Sequence, residues 1–206
     1  MLKLKTYGNF KPIGKNREKK QIILCHTSRE VGEYLTSLKF RYNGKYDKIP
    51  NFIITKNGEV LQLLEENGFS NYIGDEILRT KSITIVLENL GWLERKPLTD
   101  YYISWNSSIY RGKVFEKKWR DYFFWEPYNE EQIISTAKIC SELCEKFQIP
   151  KTCVGHNTKI EGMGLFEGIS SRSNHDHRFT DLSPSFNFDI LVKNIENEQH
   201  TQREIR

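Results

Sequence analysis

Residues 21–28 read QIILCHTS. The apolar run Ile22, Ile23, Leu24, Cys25 is too short for a helix and reads as a buried strand. It ends in His26 and Thr27. The end of a buried strand is where a polar side chain can be both rigid and reachable. Downstream, Val31, Leu35 and Leu38 recur at helical spacing across residues 29–41, so a helix follows the strand. Residues 51–64 (NFIITKNGEVLQLL) are two β-rich runs around Asn57-Gly58, a pair that supplies the positive φ angles of a tight turn. Residues 82–88 (SITIVLE) form another strand, rich in β-branched residues. Short buried strands alternating with helical stripes predict an α/β fold in one domain.

The second half is organised around a long helix that starts at Glu130. Asn129 is placed to cap it, Gln132 to complete a capping box, and Tyr128 and Ile133 to form a hydrophobic staple. Ile133, Ala137, Cys140, Cys144 and Phe147 make one apolar stripe, and Pro150 stops the helix. Val154-Gly155-His156 reads as a short strand ending in a histidine. Residues 92–128 are aromatic and irregular and read as an insertion packed on the domain. The domain is expected to span residues 1–192, with a polar, frayed tail at 193–206. No internal repeat is present.

Of 206 residues, 37% are apolar, enough for a sizeable core. No apolar run reaches the length of a membrane span. The basic segment 1–20 lacks the apolar core of a signal peptide, so cytoplasmic synthesis is expected. The net charge of +4 is mild, with basic clusters at 15–20 and 111–120. These read as a solvated surface or as attraction to an anionic polymer. No nucleic-acid-binding motif accompanies them, and a monomer is expected. The four cysteines lack zinc-ribbon spacing and read as small buried hydrophobes in a reducing compartment.

Three places carry candidate chemistry: Cys25-His26-Thr27, Gly155-His156-Asn157, and the cluster His175-Asp176-His177-Arg178-Phe179-Thr180-Asp181. Histidine, cysteine and carboxylate are the donors zinc prefers, usually three of them with water in the fourth position. Taken singly, each place also reads as a structural histidine or a solvated loop.

In order along the chain, these pieces resemble the zinc-dependent N-acetylmuramoyl-L-alanine amidase family, which includes phage lysozyme-type amidases and peptidoglycan recognition proteins. IILCHTS (22–28) resembles the family's first strand and His-His-Thr element. PNFIITKNGEVLQLL (50–64) is similar to its second strand and hairpin, and SITIVLEN (82–89) to its central strand. Val154-Gly155-His156 looks like its Val-Gly-His, and TDLSPSF (180–186) like its Thr-Asp-Pro-Gly-x-x-Phe ending. The resemblance implies a mixed sheet flanked by helices. It also implies zinc held by Cys25 or His26, by His156 and by Asp181. Strand alternation allows only one of Cys25 and His26 to face the metal. The implied reaction is hydrolysis of the amide between N-acetylmuramic acid and L-alanine, in peptidoglycan or a soluble muropeptide.

The sequence departs from the family at three catalytic positions. Phe179 stands at the usual lysine, Val86 at the usual glutamate, and Pro50 at a tyrosine of some relatives. Glu88 is then the candidate proton-handling group, with His177 or Arg178 as oxyanion stabiliser. The longer segment 159–172 reads as a loop over the cleft or a surface insertion. Trp105, Tyr110 and Trp125 are candidates for stacking on sugar rings or for packing the insertion. Two alternatives accompany the enzyme: a non-catalytic peptidoglycan-binding module, and a phage structural protein that reuses the fold. A phage-encoded enzyme would act on the wall after release.

Overall fold

The computed structural model describes residues 4–204. The first half contains β1 (Leu4–Thr6), β2 (Gly14–Lys15), β3 (Gln21–His26), α1 (Val31–Phe40), β4 (Phe52–Ile54), β5 (Val60–Gln62), β6 (Gly68–Phe69), α2 (Glu76–Lys81) and β7 (Ser82–Leu87). The insertion contributes β8 (Trp92–Arg95), β9 (Tyr102–Ser104), β10 (Ile109–Tyr110), β11 (Phe115–Trp119) and β12 (Tyr122–Trp125). The chain closes with α3 (Glu130–Phe147), β13 (Gly168–Ser171), α4 (Arg172–His175) and α5 (Phe188–Glu204).

The central sheet has the order β1-β5-β4-β7-β3-β13. It is mixed: β3 runs parallel to both β7 and β13, while β4 and β5 form the antiparallel hairpin. Alternation along β3 sends Ile22 and Leu24 into a core with α3 and α5. Ile23 and Cys25 enter a second core with Tyr34, Leu35 and Leu38 of α1. A sheet with apolar residues on both faces must be covered on both faces, which explains the unbroken runs IIL and ITIVL.

The α3 stripe is buried as its spacing predicts: Ile133, Ala137, Cys140 and Cys144 all lie in the first core. Its start differs from expectation. Asn129 makes no capping bond; its Nδ2 donates to the Lys56 carbonyl at 2.9 Å. Gln132 is fully buried and donates to the carbonyls of Ile54 and Glu88, both at 3.0 Å. Both side chains spend their amide N–H groups on carbonyls of the hairpin and of Glu88, which ties the start of the helix to the sheet.

Two segments depart from their sequence reading. Residues 193–198, read as part of a fraying tail, continue α5, with Leu191 and Ile195 buried against the core; residues 205–206 of that tail lie outside the described residues. Lys19, read within a solvated basic cluster, is 1% exposed. It donates to the carbonyls of Thr80 and Ser82, both at 3.0 Å, and burial pulls its pKa down to about 8. The insertion forms its own antiparallel sheet, ordered β10-β9-β8-β12-β11. Trp92 stacks on Tyr122 with ring centres 4.5 Å apart, and Trp125 is fully buried.

Candidate active-site cleft

The site grows from the C-terminal end of β3. Cys25 and His26 are adjacent on one strand and point to opposite faces. Cys25 faces α1 and touches Tyr72 and Asp181. Burial pushes its thiol well above the ordinary range, and the Asp181 carboxylate pushes it further. His26 turns to the other face, where its Nδ1 lies 3.2 Å from the Tyr128 hydroxyl. A Cβ on Gly91 would come within 2.9 Å of the His26 ring, so a glycine is required beside it; its φ of +78° adds a second reason. Burial holds His26 below its usual pKa, only partly opposed by Asp181.

Asp181 sits across this strand end. It is 3% exposed, its Oδ2 accepts from the His26 backbone N–H at 3.3 Å, and the same oxygen lies 3.8 Å from Nη1 of Arg172. The structure thus sets the Asp181 carboxylate against the Cys25 side chain and the His26 backbone, while the His26 ring turns away to Tyr128. It leaves His156 apart. The strand alongside β3 is β13, with Ser171 opposite Leu24. Residues 154–156 lie beyond β13, tied to it by the Cys153–Ile169 bridge and the Val154 N–H bond to the Ile169 carbonyl. That puts them one strand spacing, about 4.8 Å, further from β3. They form no strand, and the exposed His156 accepts from the Thr158 N–H through its own Nδ1. The residue that β13 delivers beside Asp181 is Arg172, the first of α4.

Arg172 is gripped from several sides. Its guanidinium packs over the Phe179 ring at 3.5 Å and over Tyr72 at 5.1 Å, in cation–π contacts. Although burial opposes the charge, Asp181, Tyr72, Cys25 and Tyr34 together raise its pKa. Phe179 is thus the shelf for a cation rather than a cation itself.

The proposed ligand set is not assembled: among the described residues, no three His, Cys, Asp or Glu side chains converge on one point. Cys25 and Asp181 are suitable donors, but a guanidinium stands beside them and donates rather than coordinates. These residues do not fit a zinc ion on three protein ligands.

The other candidate residues fall in several places. Both carboxylate oxygens of the buried Glu88 are occupied, by the N–H groups of Val31 (2.8 Å) and Lys56 (2.9 Å). It anchors the start of α1 and the hairpin turn, and the strand position that made it a candidate instead turns it toward these donors. Val86 is core. His177 is exposed, and its carbonyl accepts from Arg120. Arg178 is exposed at the cleft mouth and paired with Asp176 at 2.6 Å.

Over Asp181 opens a cavity of about 350 Å³. A second, of about 940 Å³, adjoins it; Lys48, Tyr72, Arg172, Arg178 and Phe179 line both. The smaller one carries Arg29, Arg41, Lys48, Arg172 and Arg178 against the single carboxylate of Asp181, with Tyr34, Tyr46 and Trp105 among its walls. Arg29 stacks on Trp105 at 5.0 Å and leaves its buried Nε without a partner. Of the candidate stacking aromatics, Trp105 is 46% exposed at this cleft, whereas Trp125 is core. The segment 159–164 lines the larger cavity, as one reading of the long loop expects.

The N-acetylmuramoyl-L-alanine amidase family matches residues 15–164. The chain belongs to that family. It is an amidase of the hydrolase class by family, and the match ends before β13, Arg172 and Asp181. No curated protein matches the sequence. Among solved structures, the N-acetylmuramoyl-L-alanine amidase LysC from Clostridium intestinale aligns over 95% of this chain and 99% of its own, at 10% identity and a TM-score of 0.56. The Staphylococcus aureus hydrolase AmiA, solved with its ligand, aligns over 99% and 85%, at 7% identity and a TM-score of 0.59. The Escherichia coli amidase AmiD, in complex with an anhydro-N-acetylmuramic acid peptide, aligns over 90% and 60%, at 16% identity and a TM-score of 0.53. These identities carry the amidase fold. No helix among the described residues is long and apolar enough to cross a membrane.

His175, from the same cluster, lines the larger cavity. Its Nε2 shares a hydrogen bond of 2.9 Å with the Ser170 hydroxyl, and burial pulls its pKa from 6.5 down to about 4. Between those values the unfolded chain takes up a proton that the folded chain refuses. Stability is therefore complete above about pH 6.5 and is lost as pH falls toward 4, by up to about 3 kcal/mol. Urea midpoints from pH 7 to 4.5 should fall for the parent and fall less for His175→Gln. Equal slopes would remove His175 from the account.

Proposed function

We propose that this amidase-family chain acts on the muramyl–peptide junction of peptidoglycan, hydrolysing the amide between N-acetylmuramic acid and L-alanine. The observation that carries the reading is the cationic, aromatic cleft over Asp181 at the end of β3. Peptidoglycan stem peptides present carboxylates and its glycans present flat sugar faces. Five cations and the exposed Trp105 suit both. Within the cleft, Arg172 offers positive charge to the scissile carbonyl oxygen as it becomes an oxyanion. Asp181 is the carboxylate suited to orient the attacking water and hold its proton. Zinc would supply Lewis-acid polarisation in the family scheme, but the donor set here does not fit it, and these roles do not depend on it.

One observation favours a second reading, a module that binds the wall without turnover: a guanidinium stands where a third metal donor is expected. Mass spectrometry of a defined muropeptide separates the two. Release of a stem peptide beginning with L-alanine establishes the amidase. Binding by calorimetry with no release establishes the module, and neither binding nor release rejects both. Action at a cell wall and a monomeric state belong to the same proposal; gel filtration with light scattering checks the latter.

A further inference from the structure

The residue beside Asp181 is a cation supplied by the chain itself. We propose that the Arg172 guanidinium takes the place of the family's metal ion, so that the cleft is a metal-free site whose fixed positive charge receives a carboxylate or carbonyl oxygen of the ligand directly.

Three observations on independent elements support this. The strand register determines which residue arrives: β13 pairs with β3 through Ser171–Leu24, and the next residue is Arg172. The surroundings are shaped for a guanidinium, with Phe179 stacked at 3.5 Å, Tyr72 at 5.1 Å and a carboxylate 3.8 Å away. The planar, delocalised cation of arginine suits such stacking where a lysine would not. Finally, Asp181 Oδ2 already accepts from the His26 N–H and faces Arg172. A dication there would meet a like charge within a few ångströms in a poorly solvated setting.

The guanidinium also has capacity left for a ligand. Its charge partner is at 3.8 Å, beyond a good hydrogen bond, and its side chain is 21% exposed where the two cavities meet. A planar fork with free N–H groups is suited to bidentate recognition of a carboxylate. This ligand assignment rests on the wall-substrate reading; the metal-free assignment does not.

The test begins with the unmodified full chain. After dialysis at about micromolar free zinc, its zinc content should stay below about 0.1 per chain, and its melting midpoint should not rise on adding zinc or fall on adding EDTA. One equivalent of zinc in the parent, lost in Cys25→Ser, His156→Ala or Asp181→Asn, would overturn the proposal. Calorimetry with a soluble muropeptide in EDTA should show undiminished affinity for the parent. For Arg172→Gln, shown folded by circular dichroism, the affinity should be at least about tenfold weaker. Arg172→Lys should recover only part of it, because it keeps the charge and loses the fork. Undiminished affinity in Arg172→Gln, or affinity that vanishes in EDTA, would also overturn it. A zinc-free parent that binds no muropeptide would leave Arg172 as the substitute for the metal and reject the wall-substrate reading.

Discussion

Replacing Asp181 with alanine is expected to abolish muropeptide cleavage, at least about 100-fold, and to lower stability by about 2–4 kcal/mol. The side chain is 3% exposed and bridges the His26 N–H and the Arg172 guanidinium. Its removal orphans a buried donor, which costs about 1–3 kcal/mol, and leaves Arg172 pressed against Tyr72 and Phe179 without its counter-charge. Partial exposure of Arg172 keeps the loss below that of a fully buried pair. Asp181→Asn separates the two effects, since the amide keeps the shape and loses the charge. It should recover part of the stability and none of the activity. Urea unfolding and mass spectrometry of the released peptide measure them independently. Full-rate release by Asp181→Ala would remove Asp181 from the mechanism.

The second large effect is expected at Asn174, which touches no substrate cavity. It is fully buried and uses its whole amide. Oδ1 accepts from the Ser171 N–H (2.7 Å) and hydroxyl (2.8 Å), while Nδ2 donates to the carbonyls of His156 (2.9 Å) and Thr158 (2.8 Å). The residue thereby fastens β13 and α4, which carry Arg172, to the loop at His156 and Thr158. Asn174→Leu should cost about 3–5 kcal/mol, because the buried N–H and hydroxyl of Ser171 and the half-buried carbonyls of His156 and Thr158 lose their bonds together. That corresponds to a fall in melting midpoint of roughly 10 °C. Muropeptide affinity should drop as well, through misplacement of Arg172. A midpoint within about 2 °C of the parent would show that the network is not under load.

The elements that the sequence made legible are those whose side chains report burial locally. The runs of β3 and β7, the Asn57-Gly58 hairpin and the stripe of α3 each repeat an apolar signal at a strand or helix period, and each lies where that period predicts. The strand β13 gave no such signal. Its four residues, Gly-Ile-Ser-Ser, contain one large apolar side chain, so it read as loop, and Val154-Gly155-His156 took its place in the sequence reading. Its serines are buried by hydrogen bonds to α4 rather than by apolar packing. Glu88 gave no local sign of its partners for a related reason: it lies one residue past the end of β7, and the two backbone donors that occupy its carboxylate come from α1 and the hairpin turn.

The sequence by itself therefore determined the class of fold and the family, and it singled out His26 and Asp181, which line the cleft, because strand ends and closing motifs are local in the chain. Only the tertiary structure decided which residue meets Asp181. That choice depends on the pairing of β13 with β3, a contact between segments more than 140 residues apart. Register, not local composition, selects Arg172 over His156, because shifting by one strand moves a side chain out of reach of the site.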